Sequence, residues 1–433
     1  MRSFFISTPS KCNLQNPLLV TLLFFSLFAY YKYHPDSNHP MDQIPHIVKY
    51  MGSKRNILDF VVSSILEVRA QGDQRLYDLF GGSAIISASF RNVMPVTCND
   101  IQSYTQVLAK TYLNNYTWTE HEGDVLSKIV EKATKRVEHF KEKYSVLDFN
   151  YSPDISYKDM VELEKKQQNL LTYTFNGLDH LFVQNYSGTY WSYDQCLWID
   201  ALSGVARSDE YKNTFLHDLM LSSLMFAMAY CTQSTGHYAQ YRDVTKENQA
   251  DILSYRLKKI LPLFCQKFES LRQFYNGENN STFEHRYSTS HYIDVLNAME
   301  EGSIVYADPP YQFVHYSRFY HALETLVRYD YPNVEHKGRY REDRHQSPFC
   351  IRTKVKGAFT KLFSKVYEKD ATLVLSYSDT GMIAIEDLQK IAANVFKGYS
   401  ISFKEMDYKH STMGRQKDKS RDVKESLLIC TPI

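Results

Sequence analysis

Two consecutive prolines that close an apolar run constrain this chain more than any other stretch of it: Ser303-Ile304-Val305-Tyr306-Ala307 leads directly into Asp308-Pro309-Pro310-Tyr311. Proline has no N–H and a fixed φ, and it pushes the residue before it into an extended conformation, so neither proline can continue a central strand. The run is therefore a strand buried on both faces that stops at Asp308, and its exit is a stiff corner. That corner is rich in acceptors. A carboxylate on Asp308 and the Pro309 carbonyl can together hold the two hydrogens of an exocyclic amino group, while the Tyr311 ring offers a face on which a base could stack. The plainer alternative, a rigid strand-to-loop corner with no ligand, leaves the acid before and the aromatic after without a purpose.

A strand followed by a ligand-binding turn needs a sheet, and the chain supplies one from both ends. From Arg75, RLYDLF reads as a short strand, FGGSA as a small-residue turn and IISASF as a helix. PVTCND (95–100) reads as a second strand and Tyr104–Leu113 as its helix. Repeated strand–helix units argue for an α/β fold with a doubly wound parallel sheet. Strand rhythm then stops. Asp124–Lys143 and Val161–Leu171 are amphipathic helices, and strands return only at Ser303–Ala307, Ala371–Tyr377 and Ser426–Cys430. The expected organisation is a first catalytic part over 41–118, a helical insertion over 119–290, and a second catalytic part over 291–433 that carries a basic loop at 333–358. Ligands of such sheets bind beyond the carboxyl ends of the strands. Asp78, Phe80, Gly81, Gly82 and Ser83 sit there, and so does Asp100, about 20 residues further on, where a carboxylate can accept both ribose hydroxyls. Taken singly, a tight turn and a solvated aspartate are equally good readings.

Composition removes several function classes. With 43% apolar and 23% charged residues the chain is a folded protein, and 50 Lys+Arg against 49 Asp+Glu leave a net charge of +1. A nucleic-acid surface must then be a local patch. Seven scattered cysteines, with no CxxC pair and no Cys/His cluster at metal spacing, point to a reduced, cytoplasmic chain without structural metal. Pro17–Tyr31 is apolar but shorter than the roughly 20 residues of a membrane span, and no cleavage site follows it. Met41 is a plausible start, so residues 1–40 are expected to be a non-native or disordered extension.

Together these residues resemble an adenine-specific DNA methyltransferase of the Dam-like DPPY type, from about Lys49 to the carboxyl terminus. Lys49-Tyr50-Met51-Gly52-Ser53-Lys54 resembles the opening cofactor segment, DLFGGS the glycine motif, Asn99-Asp100 the ribose-binding acid, and Asp308–Tyr311 the catalytic tetrapeptide. The resemblance implies a Rossmann-like methyltransferase sheet with an inserted target-recognition domain, S-adenosylmethionine as cofactor, and methyl transfer to the N6 amino group of a flipped adenine in duplex DNA. It implies that Asp308, Pro309, Pro310 and Tyr311 are catalytic. Cofactor contacts fall to Tyr50, Gly52, Lys54, Asp78, Phe80, Gly81, Gly82, Ser83, Asp100 and Asp294, the last for the cofactor adenine. It departs at Ala84, where the family pattern F-x-G-x-G ends in glycine; a methyl at a point of close approach costs about 1–2 kcal/mol of overpacking.

Tyr186–Ser192, Thr235–Gln240 and Tyr316–His321 mix hydroxyls, amides and aromatics in a way that suits base and phosphate contacts or ordinary polar packing. Lys337–Lys356 holds seven Lys/Arg against two acids; Lys337, Arg339, Arg341 and Arg344 are its candidate DNA-binding residues, against a solvated charged loop. N4-cytosine or RNA adenine transfer, and a DNA-binding relative impaired at Ala84, remain open alternatives, as does a companion restriction endonuclease. A nicotinamide enzyme is excluded, because no GxGxxG follows a strand.

Overall fold

The computed structural model describes residues 44–70, 74–118, 124–177, 179–233, 237–275, 280–311, 313, 315–379, 381–411 and 420–433. The expected extension, 1–40, lies outside them. Ile44–Ile433 form one compact unit.

The described strands are β1 (Leu76–Asp78), β2 (Val96–Asn99), β3 (Arg286–Ser288), β4 (Ile304–Ala307), β5 (Val334–Glu335), β6 (Tyr340–Arg341), β7 (Thr372–Ser378), β8 (Tyr399–Ser411) and β9 (Ser420–Pro432). Seven of them make one sheet in the order β3-β2-β1-β4-β7-β9-β8. β1 pairs in parallel with β2 on one side and with β4 on the other, where Leu76 faces Ile304 and Asp78 faces Tyr306. Every residue of β1, β2, β4 and β7 is buried, as continuous apolar runs covered on both faces must be. Helices Ile85–Ser89 and Ser103–Leu113 follow β1 and β2, and Val355–Tyr367 precedes β7.

The parallel part ends at β7. The expected terminal strand Ser426–Cys430 belongs to β9, which runs antiparallel to both β7 and β8. β8 and β9 are separated in sequence only by residues 412–419, and an antiparallel pair, unlike a parallel one, can be joined without a long crossover. β3, three residues long, shows no alternation that a sequence could reveal.

Between β2 and β3 the chain is helical, with long helices at Val125–Lys143, Tyr157–Gln168, Tyr193–Ala206, Phe215–Cys231 and Ile260–Phe274. Local chemistry starts several of them. The Ser192 hydroxyl accepts from the Gln195 N–H while the Gln195 side chain accepts from the Ser192 N–H, and the Thr214 hydroxyl accepts from the His217 N–H. Helix Phe215–Cys231 docks on Ser103–Leu113, where the Thr111 hydroxyl meets Ser222 Oγ at 2.7 Å and donates to the Asp218 carbonyl at 3.1 Å. Glu164 and Arg256 pair fully inside, with two parallel bonds of 2.7 and 2.8 Å.

In the segments that suited either base contacts or ordinary polar packing, several aromatic side chains belong to the core. Tyr186, Tyr190, Trp191, Tyr238, Tyr320 and His321 are all completely buried. Tyr190 Oη donates to the carbonyls of Tyr238 and Gly338 at 2.5 and 2.9 Å, and Trp191 Nε1 donates to that of Met228 at 3.0 Å. Thr235 and Gly236 lie outside the described residues. Among the described residues no helix is long and apolar enough to cross a membrane.

Candidate active site

The sheet reverses its winding between β1 and β4, since the chain leaves β1 toward β2 and leaves β4 toward β7. A crevice must open at their carboxyl ends. It does: a cleft of about 1070 Å³, counted out to its open mouth, is lined by Tyr50, Gly52, Lys54, Asp78, Phe80–Ser83, Asp100 and Asp308–Tyr311. The opening segment, the glycine turn, the second acid and the proline corner, hundreds of residues apart in part, thus share one wall. Tyr311 packs against Tyr377 at 5.2 Å between ring centroids and still faces this cleft.

The glycine turn is held from several sides. Gly81 N–H donates to the Asn99 carbonyl (2.8 Å), Thr105 Oγ1 donates to the Gly82 carbonyl (2.8 Å), and Gly82 N–H donates to Asp100 Oδ2 (3.0 Å). A Cβ on Gly81 would stand 2.6 Å from Cys98 Sγ, so this glycine serves strand packing as well as ligand approach. Gly82 has φ +53°, and a Cβ there would meet the Tyr50 ring at 3.0 Å. That ring is stacked on Tyr320 and Tyr316, at 4.6 and 5.5 Å. Ala84 is buried in the left-handed region, φ 58°, and is not among the cleft-lining residues. A non-glycine residue in that conformation carries backbone strain of about 1–2 kcal/mol.

Burial governs the acids. Asp78 is fully buried and accepts from Ser87 Oγ at 2.7 Å and from the Ser87 backbone, yet burial outweighs these bonds and pushes its pKa up to about 7. Asp100 accepts from the N–H groups of Gly82 and Gln102, yet burial outweighs these bonds and raises it to about 6. Asp308 is also raised to about 6, by burial first; Lys54 opposes the shift and Glu425 adds to it. Lys54 Nζ lies 2.5 Å from Glu425 Oε1 and 3.0 Å from Asp308 Oδ1. The Lys54 ammonium thus bridges the two carboxylates, with its shorter contact to Glu425. No described residue donates to the Pro309 carbonyl.

Three expected positions fall elsewhere. Asp294 is exposed on the first turn of helix Tyr292–Ala298 and does not line the cleft. Tyr292, Ile293, Val295 and Leu296 turn into the core, which aims position 294 outward; His291 and Tyr292 line the cleft instead. In the basic loop, Arg339 and Arg341 are buried. Arg339 donates to the carbonyls of Asn185 and Gln168, and Arg341 bonds both oxygens of Asp330, at 2.6 and 2.8 Å, and those of Asp343 at 3.0 Å. Their donors are consumed within the protein. Lys337 pairs with Asp243 at the surface, and the Arg344 guanidinium lies over Tyr340 at 5.6 Å. The acid of β9, Glu425, carried no signal beyond being a charge at the start of an apolar run.

Lys54 is the single Lys or Arg among the described lining residues, against Asp78, Asp100 and Asp308. Such a cleft suits a cationic ligand, because a positive charge would relieve carboxyls that burial disfavours. Among the described residues no His, Cys, Asp and Glu group could hold a metal ion.

A doubly wound sheet with a glycine turn, two acids and a proline corner around one cleft at its switch point is an α/β ligand-binding arrangement. The family description "D12 class N6 adenine-specific DNA methyltransferase" matches residues 50–194 and 219–382, and the chain belongs to that family. It is 22% identical over 375 residues to the type II methyltransferase M.FokI of Planomicrobium okeanokoites, covering 84% of this chain and 50% of that protein. It is also 22% identical over 354 residues to the modification methylase LlaI of Lactococcus lactis subsp. lactis, covering 80% of this chain and 48% of that one. The type II methyltransferase M.NlaIII of Neisseria lactamica is 21% identical over 355 residues, 79% of this chain and 87% of its own length. The chain thus spans about half the length of the first two relatives.

Proposed function

We propose that this protein transfers a methyl group from S-adenosylmethionine to the N6 amino group of adenine at a specific sequence in duplex DNA. One observation carries the reading: the Asp308 carboxylate, ion-paired with Lys54 at 3.0 Å, and the proline corner that follows it line the same cleft as the glycine turn and Asp100. The carboxylate and the Pro309 carbonyl make an acceptor pair that matches an amino group with two hydrogens.

Bound there, the cofactor supplies a methyl group on a sulfonium that its own positive charge already activates. Asp100 would accept its ribose hydroxyls, the turn of Gly81, Gly82 and Ser83 would let it approach the backbone, and Phe80 and Tyr292 would flank it. The remaining difficulty is the nucleophile, because the lone pair of an aromatic amino group is delocalised into its ring. Asp308 and the Pro309 carbonyl, by taking its two hydrogens, favour a pyramidal nitrogen and aim its lone pair. Tyr311 stacks the extruded base and offsets about 1–3 kcal/mol of the few kcal/mol that extrusion costs.

The helices of 119–290 are our candidates for reading the target sequence, with Lys337 and Arg344 on its phosphates. Two relatives are named as a modification methylase and a type II methyltransferase, which supports a restriction-modification role, cytoplasmic and with a cognate endonuclease as companion. Sequencing DNA from cells that express the protein, with detection of modified bases, tests this. N6-methyladenine at a fixed motif is the expected outcome; N4-methylcytosine, or unmodified DNA, overturns the reading.

A further inference from the structure

We propose that Lys267 and Lys49 form a phosphate-binding site that grips the backbone of the substrate DNA beside the cleft. The inference rests on the DNA-substrate part of the reading above. Lys267 lies on helix Ile260–Phe274, which packs along helix Phe215–Cys231. Its Nζ stands 4.4 Å from the centre of the Phe226 ring, and Lys49 Nζ stands 4.0 Å from that of Tyr230, one helical turn further on. The two rings touch, with 4.3 Å between centroids, so both ammonium groups lie along one face of that helix. Lys267 is only 8% exposed and Lys49 is half-buried, yet neither ammonium has a hydrogen bond or an ion pair with a described residue. A ring face attracts the charge but leaves the N–H groups without oxygen acceptors.

The charges around the pair are of one sign. Burial first, and then Arg55, lowers Lys267 to about 8; burial, followed by Arg55, Lys267 and Lys49, lowers His46 to about 4; burial and Lys258 lower Lys49. No carboxylate is among the groups acting on these three. Arg55 and Lys258 are already committed: Arg55 donates to the carbonyls of Ile44 and Pro45 at 2.9 and 3.3 Å, and Lys258 Nζ to that of Tyr230 at 3.2 Å. The two lysines are not. Burying a cation without a counter-ion is costly, and an arriving oxyanion supplies the missing charge and the missing acceptors together. The site also borders the cleft. Lys49 precedes Tyr50, whose ring lines it, and Tyr320, stacked on that ring, donates through its hydroxyl to the Lys49 carbonyl at 3.3 Å. The cleft itself holds three acids against Lys54, and Arg339 and Arg341 are spent inside the protein, so a duplex feeding a base into it needs cations at the flank.

The test is a titration of a labelled DNA duplex by fluorescence anisotropy, repeated between about 50 and about 200 mM chloride salt. K267Q should reduce the slope of log K on log salt by about one unit and the double variant K49Q/K267Q by about two, with affinity near 0.1 M salt falling about tenfold for each lysine. Wild-type slopes in both variants overturn the proposal, because a lysine that merely lies buried against a ring releases no counterion. Should K267Q not fold, the half-buried Lys49 carries the test: K49Q should lose about one unit, and an unchanged slope is again fatal. Inorganic phosphate, exchanged for chloride at constant ionic strength, separates a duplex site from a small-anion site. Equal competition by the two salts is expected; displacement of DNA by millimolar phosphate alone overturns the assignment to DNA. A wild-type protein that makes no N6-methyladenine brings down the parent reading, whereas a methylating wild type whose slope K267Q and K49Q leave intact brings down this site alone.

Discussion

At the scale of single residues, Asp308 must give up solvent and still act as an acceptor, and its neighbours determine whether it can. Its carboxyl is raised to about 6, so it is ionised and able to accept at pH 8 but half protonated near pH 6. Methyl transfer should therefore fall as pH drops through about 6, read from the pH profile of kcat. Asp308→Ala should lower single-turnover transfer by about a hundredfold to ten-thousandfold while cofactor affinity, measured by equilibrium binding, stays within a few fold. Transfer near the wild-type rate in that variant would remove Asp308 from the site. Asp78 makes a cleaner test of burial. Its folded pKa, about 7, lies above the usual unfolded value of about 3.9, so folding takes up a proton between those limits and stability is lost as pH rises through them. Asp78→Asn removes that loss and can still accept from Ser87. Urea unfolding at pH 5 and pH 8 should show the variant gaining a few kcal/mol on the wild type at the higher pH; parallel behaviour would mean that Asp78 stays charged at little cost.

At the scale of elements, the hairpin β5–β6 shows how a basic stretch can be mostly architecture. Four cations within eight residues of sequence suggested a phosphate footprint, but the hairpin turns two of them inward. Arg341 is 1% exposed and bonds two aspartates, each itself partly open to water, so the pair is screened and worth less than a dry one. Arg341→Ala should destabilise the protein by about 1–3 kcal/mol, the scale of hydrogen bonds to charged groups, and should leave the salt dependence of DNA binding unchanged. Arg344→Ala should do the opposite, costing little stability and reducing the salt slope by about one unit. Thermal melts and binding titrations between low and moderate salt separate the two, and a reversed pattern would restore Arg341 to the DNA surface. The same inward turn explains the acid at 294: helix phase, not sequence spacing from Asp308, decides which side chain faces a cleft.

At the scale of the whole molecule, the helical block and the sheet are stitched together by pieces from both ends of the chain. Tyr329 Oη donates to the buried Asp200 at 2.5 Å, Tyr190 Oη to the Gly338 carbonyl at 2.9 Å, and Thr111 bonds Ser222 across the docked helices. Every one of these links joins the segment 119–290 to residues outside it, and breaking one leaves a buried polar group unpaired. Calorimetry on the protein should accordingly give a single cooperative transition for Ile44–Ile433; two well-separated transitions would show that the helices fold as an independent domain.

What could be read without coordinates follows from interactions that act over a few residues. Proline chemistry at Pro309 and Pro310, the apolar runs of β1, β2, β4 and β7, and the small-residue turn at Gly81 and Gly82 are local constraints, and they located the cleft and its acceptor corner before any packing was known. The antiparallel entry of β9, the use of Arg339 and Arg341 as internal struts, the exchange of Asp294 for His291, and the arrival of Glu425 at Lys54 depend on which surfaces meet. Such outcomes are set by contacts between residues far apart in the chain, where each side chain's partner, and with it its charge and burial, exists only once the sheet has assembled.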